Sequence, residues 1–212
     1  DKGLRQQQAR RSQAFPDEGQ ILFGDLHVHT TFSPDAFVTA LPLMHGSGLA
    51  PPEAACDFAR FCSALDFWSI NDHAEGITPE RWALTRQAIR QCNGVAGDSD
   101  SPDTVAFLGW EWSQVNNTDR NQHYGHKNVI FLDTDEGKVP ARSIAAPRKQ
   151  LNKSPIGRGA QLALTVMDWK NRNLYLGIDD YYQAIADTPV CEKGVDTRDL
   201  PTNCLEIADD LA

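Results

Sequence analysis

The strongest constraint on this chain is a repeated pairing of a short apolar run with a histidine or an acid. Ile21-Leu22-Phe23-Gly24-Asp25-Leu26-His27-Val28-His29 reads as a buried strand whose end carries polar residues. Phe67-Trp68-Ser69-Ile70 reads as a second strand, ending in Asn71-Asp72-His73. Thr104-Val105-Ala106-Phe107-Leu108-Gly109-Trp110 is a third, with Glu111 at its end. A polar loop from Asn116 to Gly125 leads into a fourth, Lys127 to Leu132, with His126 just before it. Between the strands lie helical patterns. One starts at Pro52 with an apolar stripe of Ala54, Phe58, Phe61, Cys62 and Leu65. The next opens on the cap Thr78, with Pro79 and Glu80, and stops at Asn93-Gly94. This alternation predicts an α/β fold with parallel strands. In such folds chemistry collects at the carboxyl ends of the strands, which is where these polar residues fall.

The remaining segments carry weaker patterns. Residues 1–19 are polar, basic and Gln-rich and read as an arm without a core, with the domain occupying 20–212. The Pro- and Gly-bearing stretch 33–52 predicts a long loop, and 133–158 an extended excursion. Helices are expected over 160–170 and from Tyr181 to Ala186, and a further one beginning near Leu205. No apolar run approaches the roughly 20 residues of a membrane span. With 20 Lys+Arg against 29 Asp+Glu the net charge is -9 and the pI about 5.0. That balance argues against a nucleic-acid binder, which must neutralise many phosphates.

None of the five cysteines forms a CxxC pair, so a cysteine zinc site has little support. Cys56, Cys62 and Cys92 fall on expected helices as buried free thiols. Cys191 and Cys204 flank a loop with Gly194, Pro201 and Asn203. A bridge there would close about 14 residues and contribute about 3 kcal/mol. Bridged and free forms both fit the spacing; a bridge would imply an oxidising compartment, periplasmic or secreted.

Of the six histidines, five cluster at the strand ends and only His45 stands apart. His27 and His29, two apart on a strand, point to one side, and the carboxylate of Asp35 follows six residues later on a turn. Asp25 would share that side and orient a histidine from behind. Asn71-Asp72-His73-Ala74-Glu75 supplies a third imidazole, and Glu111 is a carboxylate on an otherwise apolar strand, where burial without a cation would cost several kcal/mol. In His123-Tyr124-Gly125-His126-Lys127-Asn128 either histidine can serve, and His126 adjoins the strand. The expected metal ligands are therefore His27, His29, Asp35, His73, Glu111 and His126. No GxSxG elbow, Walker loop or GxGxxG is present.

Four stretches, FGDLHVHTTFSPDAF, CDFARFCSALDFWSINDHAE, FLGWEWSQV and YGHKNVIF, resemble the DUF3604 family of the PHP (polymerase and histidinol phosphatase) superfamily of metal-dependent phosphoesterases. The resemblance spans about residues 20–212. It implies a distorted β/α barrel with a two- or three-metal centre at the strand ends. The superfamily's first motif falls on His27, His29 and Asp35, its second on His73, its glutamate on Glu111 and the next histidine on His126. The superfamily pattern continues with another histidine and an Asp-x-His pair, and no histidine follows His126 here. The barrel is thus expected to be incomplete in this chain and to continue in a missing or separate C-terminal segment.

The expected activity is hydrolysis of a small-molecule phosphate ester. Two or three divalent ions (Zn, Mn or Fe) would hold a hydroxide made nucleophilic by its lowered pKa. Asp72 would orient His73 or a water, and His123 and Lys127 would contact the leaving group or a phosphoryl oxygen. Hydrolysis of a sulfate ester, lactone or amide, or a non-catalytic binding protein stabilised by metal, are the alternatives.

Overall fold

The structure, a computed structural model, describes residues 21–97, 102–114, 125–147, 154 and 156–208. Strands β1 (Gly24–Val28), β2 (Phe67–Ile70), β3 (Val105–Gln114) and β4 (Gly125–Phe131) form one curled sheet in that order. β1, β2 and β3 run parallel, and β4 is antiparallel to β3. The mixed α/β class is as expected; the all-parallel sheet is not. The connection from β3 to β4 spans only 115–124, shorter than the dozen or so residues a parallel crossover requires.

Five helices accompany the sheet among the described residues: α1 (Pro34–Thr39), α2 (Pro52–Asp57), α3 (Pro79–Gly94), α4 (Arg158–Met167) and α5 (Arg172–Asp187). α3 starts where its cap signal lies, with Thr78 Oγ1 accepting a hydrogen bond from the Arg81 amide at 3.3 Å. It lays Trp82 and Ile89 against Leu108, Trp110 and Trp112 of β3, and the Trp82 and Trp110 rings meet edge to face at 5.3 Å. A second core joins Phe37 and Leu41 to Tyr175, Ile178 and Tyr181 of α5, with Phe37 stacked on Tyr181 at 4.3 Å. That contact explains why the expected loop 33–52 holds α1 and a 3-10 turn, Pro42–Met44. A helix of six residues is marginal alone, and the partner that stabilises it lies far along the chain.

Other expectations change as well. β1 is exposed along most of its length, because it is the outer strand of its sheet. Phe58 and Phe61 of the expected stripe are exposed, while Cys56 and Ala59 are buried. The reason is a covalent one: Cys56 is bridged to Cys92, which turns that face of α2 and the following π-helical turn (Phe58–Cys62) onto α3. Two of the three thiols expected free are therefore paired, and Cys62 is free but exposed. Cys191 and Cys204 are also bridged. The helix expected from Leu205 is instead β6 (Glu206–Ile207), paired in parallel with β5 (Ile144–Ala145). Buried Arg142 holds this segment, donating from Nε to Glu206 Oε2 at 3.0 Å. The arm expected over 1–19 lies outside the described residues.

Candidate metal centre

The site is built on the concave face of the sheet, and β3 supplies its base. Strand periodicity puts Trp110 and Trp112 into the core beneath α3 and turns Gly109, Glu111 and Ser113 to the other face. A side chain at 109 has no room there: its Cβ would lie 2.4 Å from the Val129 carbonyl oxygen. The antiparallel register sets Glu111 opposite Asn128 and Ser113 opposite His126, so these four residues share one face. His73 follows β2 and joins β3 through a bridge with Glu111, whose amide donates to the Asp72 carbonyl at 2.9 Å. His27 lies on β1, His29 just beyond it, and Asp35 on the first turn of α1.

These elements bring all six expected ligands together. They form three overlapping donor triads, His27–His29–Glu111, His29–Asp35–His73 and His73–Glu111–His126, with ligand atoms within 4.8 Å of one another in each. Glu111 is the centre. Its Oε2 lies 3.1 Å from His29 Nε2, 3.3 Å from His73 Nδ1 and 3.9 Å from His27 Nε2, while Oε1 contacts His126 Nδ1. The carboxylate is buried, yet Oε2 makes no hydrogen bond. A buried polar oxygen left without a partner is costly, and a cation among these donors relieves the cost. Mixed imidazole and carboxylate donors suit a divalent transition metal, so the residues fit such an ion.

The surroundings hold each imidazole. Ser33 Oγ contacts His29 Nδ1 at 2.7 Å and accepts from the His73 amide at 2.8 Å. Ser113 Oγ lies 2.7 Å from His73 Nδ1 and 3.2 Å from His126 Nδ1. Asn128 Oδ1 lies 2.9 Å from His27 Nδ1. Burial lowers the His29 pKa, helped by repulsion from His73. His73 is also penalised by burial, but its bond to Asp35 and the carboxylates of Glu75 and Glu111 prevail and raise it. The same bond holds Asp35 well below the usual carboxylate range.

The Asp72 carboxylate accepts from the Thr30 amide at 2.6 Å and the Thr30 hydroxyl at 2.7 Å. Burial pushes its pKa up to about 6 against these bonds. Asp72 thus clamps the loop between β1 and α1. Asp25, expected to orient an imidazole, accepts instead from the His27 amide at 2.9 Å, at an irregularity in β1 that breaks the strand alternation. Lys127 sits between His126 and Asn128 and so occupies the opposite face of β4, paired with Trp112 and away from the imidazoles. His123 lies outside the described residues. Sequence reasoning passed over Ser33, Ser113 and Asn128. Two positions from His126 on one strand was the available signal for Asn128; a lone serine carries none.

No helix among the described residues is long and apolar enough to cross a membrane. Searches against protein-family models, curated proteins and solved structures return no match to this chain.

Proposed function

We propose that the chain carries the metal centre of a hydrolase acting on small phosphate esters. The observation behind this reading is the buried Glu111 carboxylate, with an orphaned oxygen facing three imidazoles and a fourth on its other oxygen. His27, His29, Asp35, His73, Glu111 and His126 would hold two or three divalent ions, Zn, Mn or Fe. Such ions, when bound, lower the pKa of water and neutralise charge on a phosphoryl group. The protein's own part is positional. Glu111 supplies one oxygen to each side of the cluster, Asp72 holds the loop carrying His29 and Ser33, and half-exposed His27 and His126 line the solvent side.

The wider reading is a β/α barrel of the PHP type, completed by a further segment of polypeptide along β1. The exposed Ile21, Leu22, Phe23 and Leu26 on and before that outer strand support it. The two disulfides support a periplasmic or secreted setting.

The test is elemental analysis and metal titration of the native chain, His27→Ala and Glu111→Ala, with turnover of aryl phosphate, aryl sulfate and carboxylic ester measured in parallel. Metal in the native protein, its loss in both variants and preference for the phosphate are expected. Equal metal and activity in all three proteins would overturn the proposal, and preference for the sulfate or ester would replace the substrate class.

A further inference from the structure

β1 and β4 are not neighbours; two strands separate them in the sheet. Asn128 nevertheless reaches from β4 to β1 and makes two bonds there, because the sheet curls. Its Nδ2 donates to the Leu26 carbonyl at 2.9 Å, and its Oδ1 lies 2.9 Å from His27 Nδ1. The first bond decides the second. A carbonyl only accepts, so the amide nitrogen must face Leu26, which leaves the amide oxygen facing the imidazole. That oxygen also only accepts. His27 Nδ1 must therefore carry the proton, and in the neutral ring Nε2 is a bare lone pair.

His27 Nε2 is 3.0 Å from His29 Nε2 and 3.9 Å from Glu111 Oε2. That carboxylate oxygen only accepts and makes no hydrogen bond, so a cation placed between it and the His27 lone pair satisfies both. His29 Nε2 lies within reach of the same point.

We infer that Asn128 is a positioning residue that selects the Nδ1–H tautomer of His27 and so readies its Nε2 for a divalent cation shared with His29 and Glu111. This rests on the metal-centre reading above. His27 needs such a partner. Its side chain is half exposed on an outer strand with an irregular register, and packing alone does not hold its ring. Hydrogen bonds from behind a ligating histidine fix both tautomer and ring orientation.

Two variants separate the parts of the clamp. Asn128→Asp keeps an acceptor for Nδ1–H and loses the donor to Leu26; Asn128→Leu loses both. Long-range proton–nitrogen correlation NMR on the metal-free chain at about pH 8, above the unperturbed imidazole range, reads the tautomer directly. His27 is assigned by its absence in His27→Gln. The expected result is Nδ1–H in the native protein and Asn128→Asp, and a mixture or Nε2–H in Asn128→Leu. Calorimetric titration with Mn(II) or Zn(II) should show affinity falling about 10–100-fold in Asn128→Leu. Asn128→Asp should stay at or above the native affinity, with thermal melts confirming that both variants fold. Nε2–H in the native protein, native affinity in Asn128→Leu, or an equal fall in both variants would overturn the inference. If the native chain binds no metal while the tautomers behave as expected, the metal-centre reading fails and the role of Asn128 in setting the tautomer stands.

Discussion

Replacing Glu111 by Gln removes a charge without removing volume, and the proposed metal centre predicts opposite consequences with and without metal. Without metal, Glu111 Oε2 is buried and unbonded, with His29 Nε2 at 3.1 Å and His73 Nδ1 at 3.3 Å. At about pH 8 the imidazole of His29, whose pKa burial lowers, is neutral and offers little ionic compensation. A glutamine amide in that place donates to one of these nitrogens, which relieves an unsatisfied group costing about 1–3 kcal/mol. Glu111→Gln should therefore melt above the native protein in chelator. With metal at about 1,000 times its dissociation constant the native protein gains about 4.1 kcal/mol. For a chain of this size that corresponds to roughly 8–16 °C in melting temperature. The variant lacks the shared carboxylate and gains little, so the order of stability reverses. Differential scanning calorimetry in chelator and in excess Zn(II) or Mn(II) reads both halves. The reasoning is refuted if Glu111→Gln is destabilised by the same amount in both conditions, or if the native melt does not respond to metal.

Asp72 gives a pH signature. Its pKa is raised to about 6 from 3.8, so the folded protein holds this proton more tightly than the unfolded chain and loses stability as pH rises through that window. Relative to Asp72→Asn, the native protein in chelator should lose about 2 kcal/mol between pH 4 and pH 7 in urea unfolding; parallel profiles would contradict this. The Cys56–Cys92 bridge closes residues separated by 36 positions. Replacing both cysteines by alanine should lower the unfolding free energy by about 4 kcal/mol, checked by denaturant titration under non-reducing conditions.

The elements legible in sequence are those whose signals are local. Thr78, Pro79 and Asn93-Gly94 bracket α3 because capping chemistry acts within one turn. Phe67 to Ile70 marks β2 by its apolar run. α1 was hidden because its stability comes from α5, and Cys56 could not be matched to Cys92 because spacing along a chain does not specify distance in space. The same distinction runs through the site. The six candidate ligands and their places near strand ends were readable, since carboxylates and imidazoles in apolar strands need a physical reason to be there. Their supporting serines and amide were not, since such residues are common on any surface.

What the sequence by itself determined is therefore a candidate donor set, His27, His29, Asp35, His73, Glu111 and His126, and the alternation of strands and helices that carries it. What only the tertiary structure decided is how those donors face. The antiparallel return of β4 put Glu111 opposite Asn128 and sent Lys127 to the far face. The irregularity in β1 took Asp25 out of line with His27. The curl of the sheet let Asn128 reach a strand that is not its neighbour. Pairing direction, register and curvature arise from contacts between distant segments, and a period of two along one strand is silent about all three.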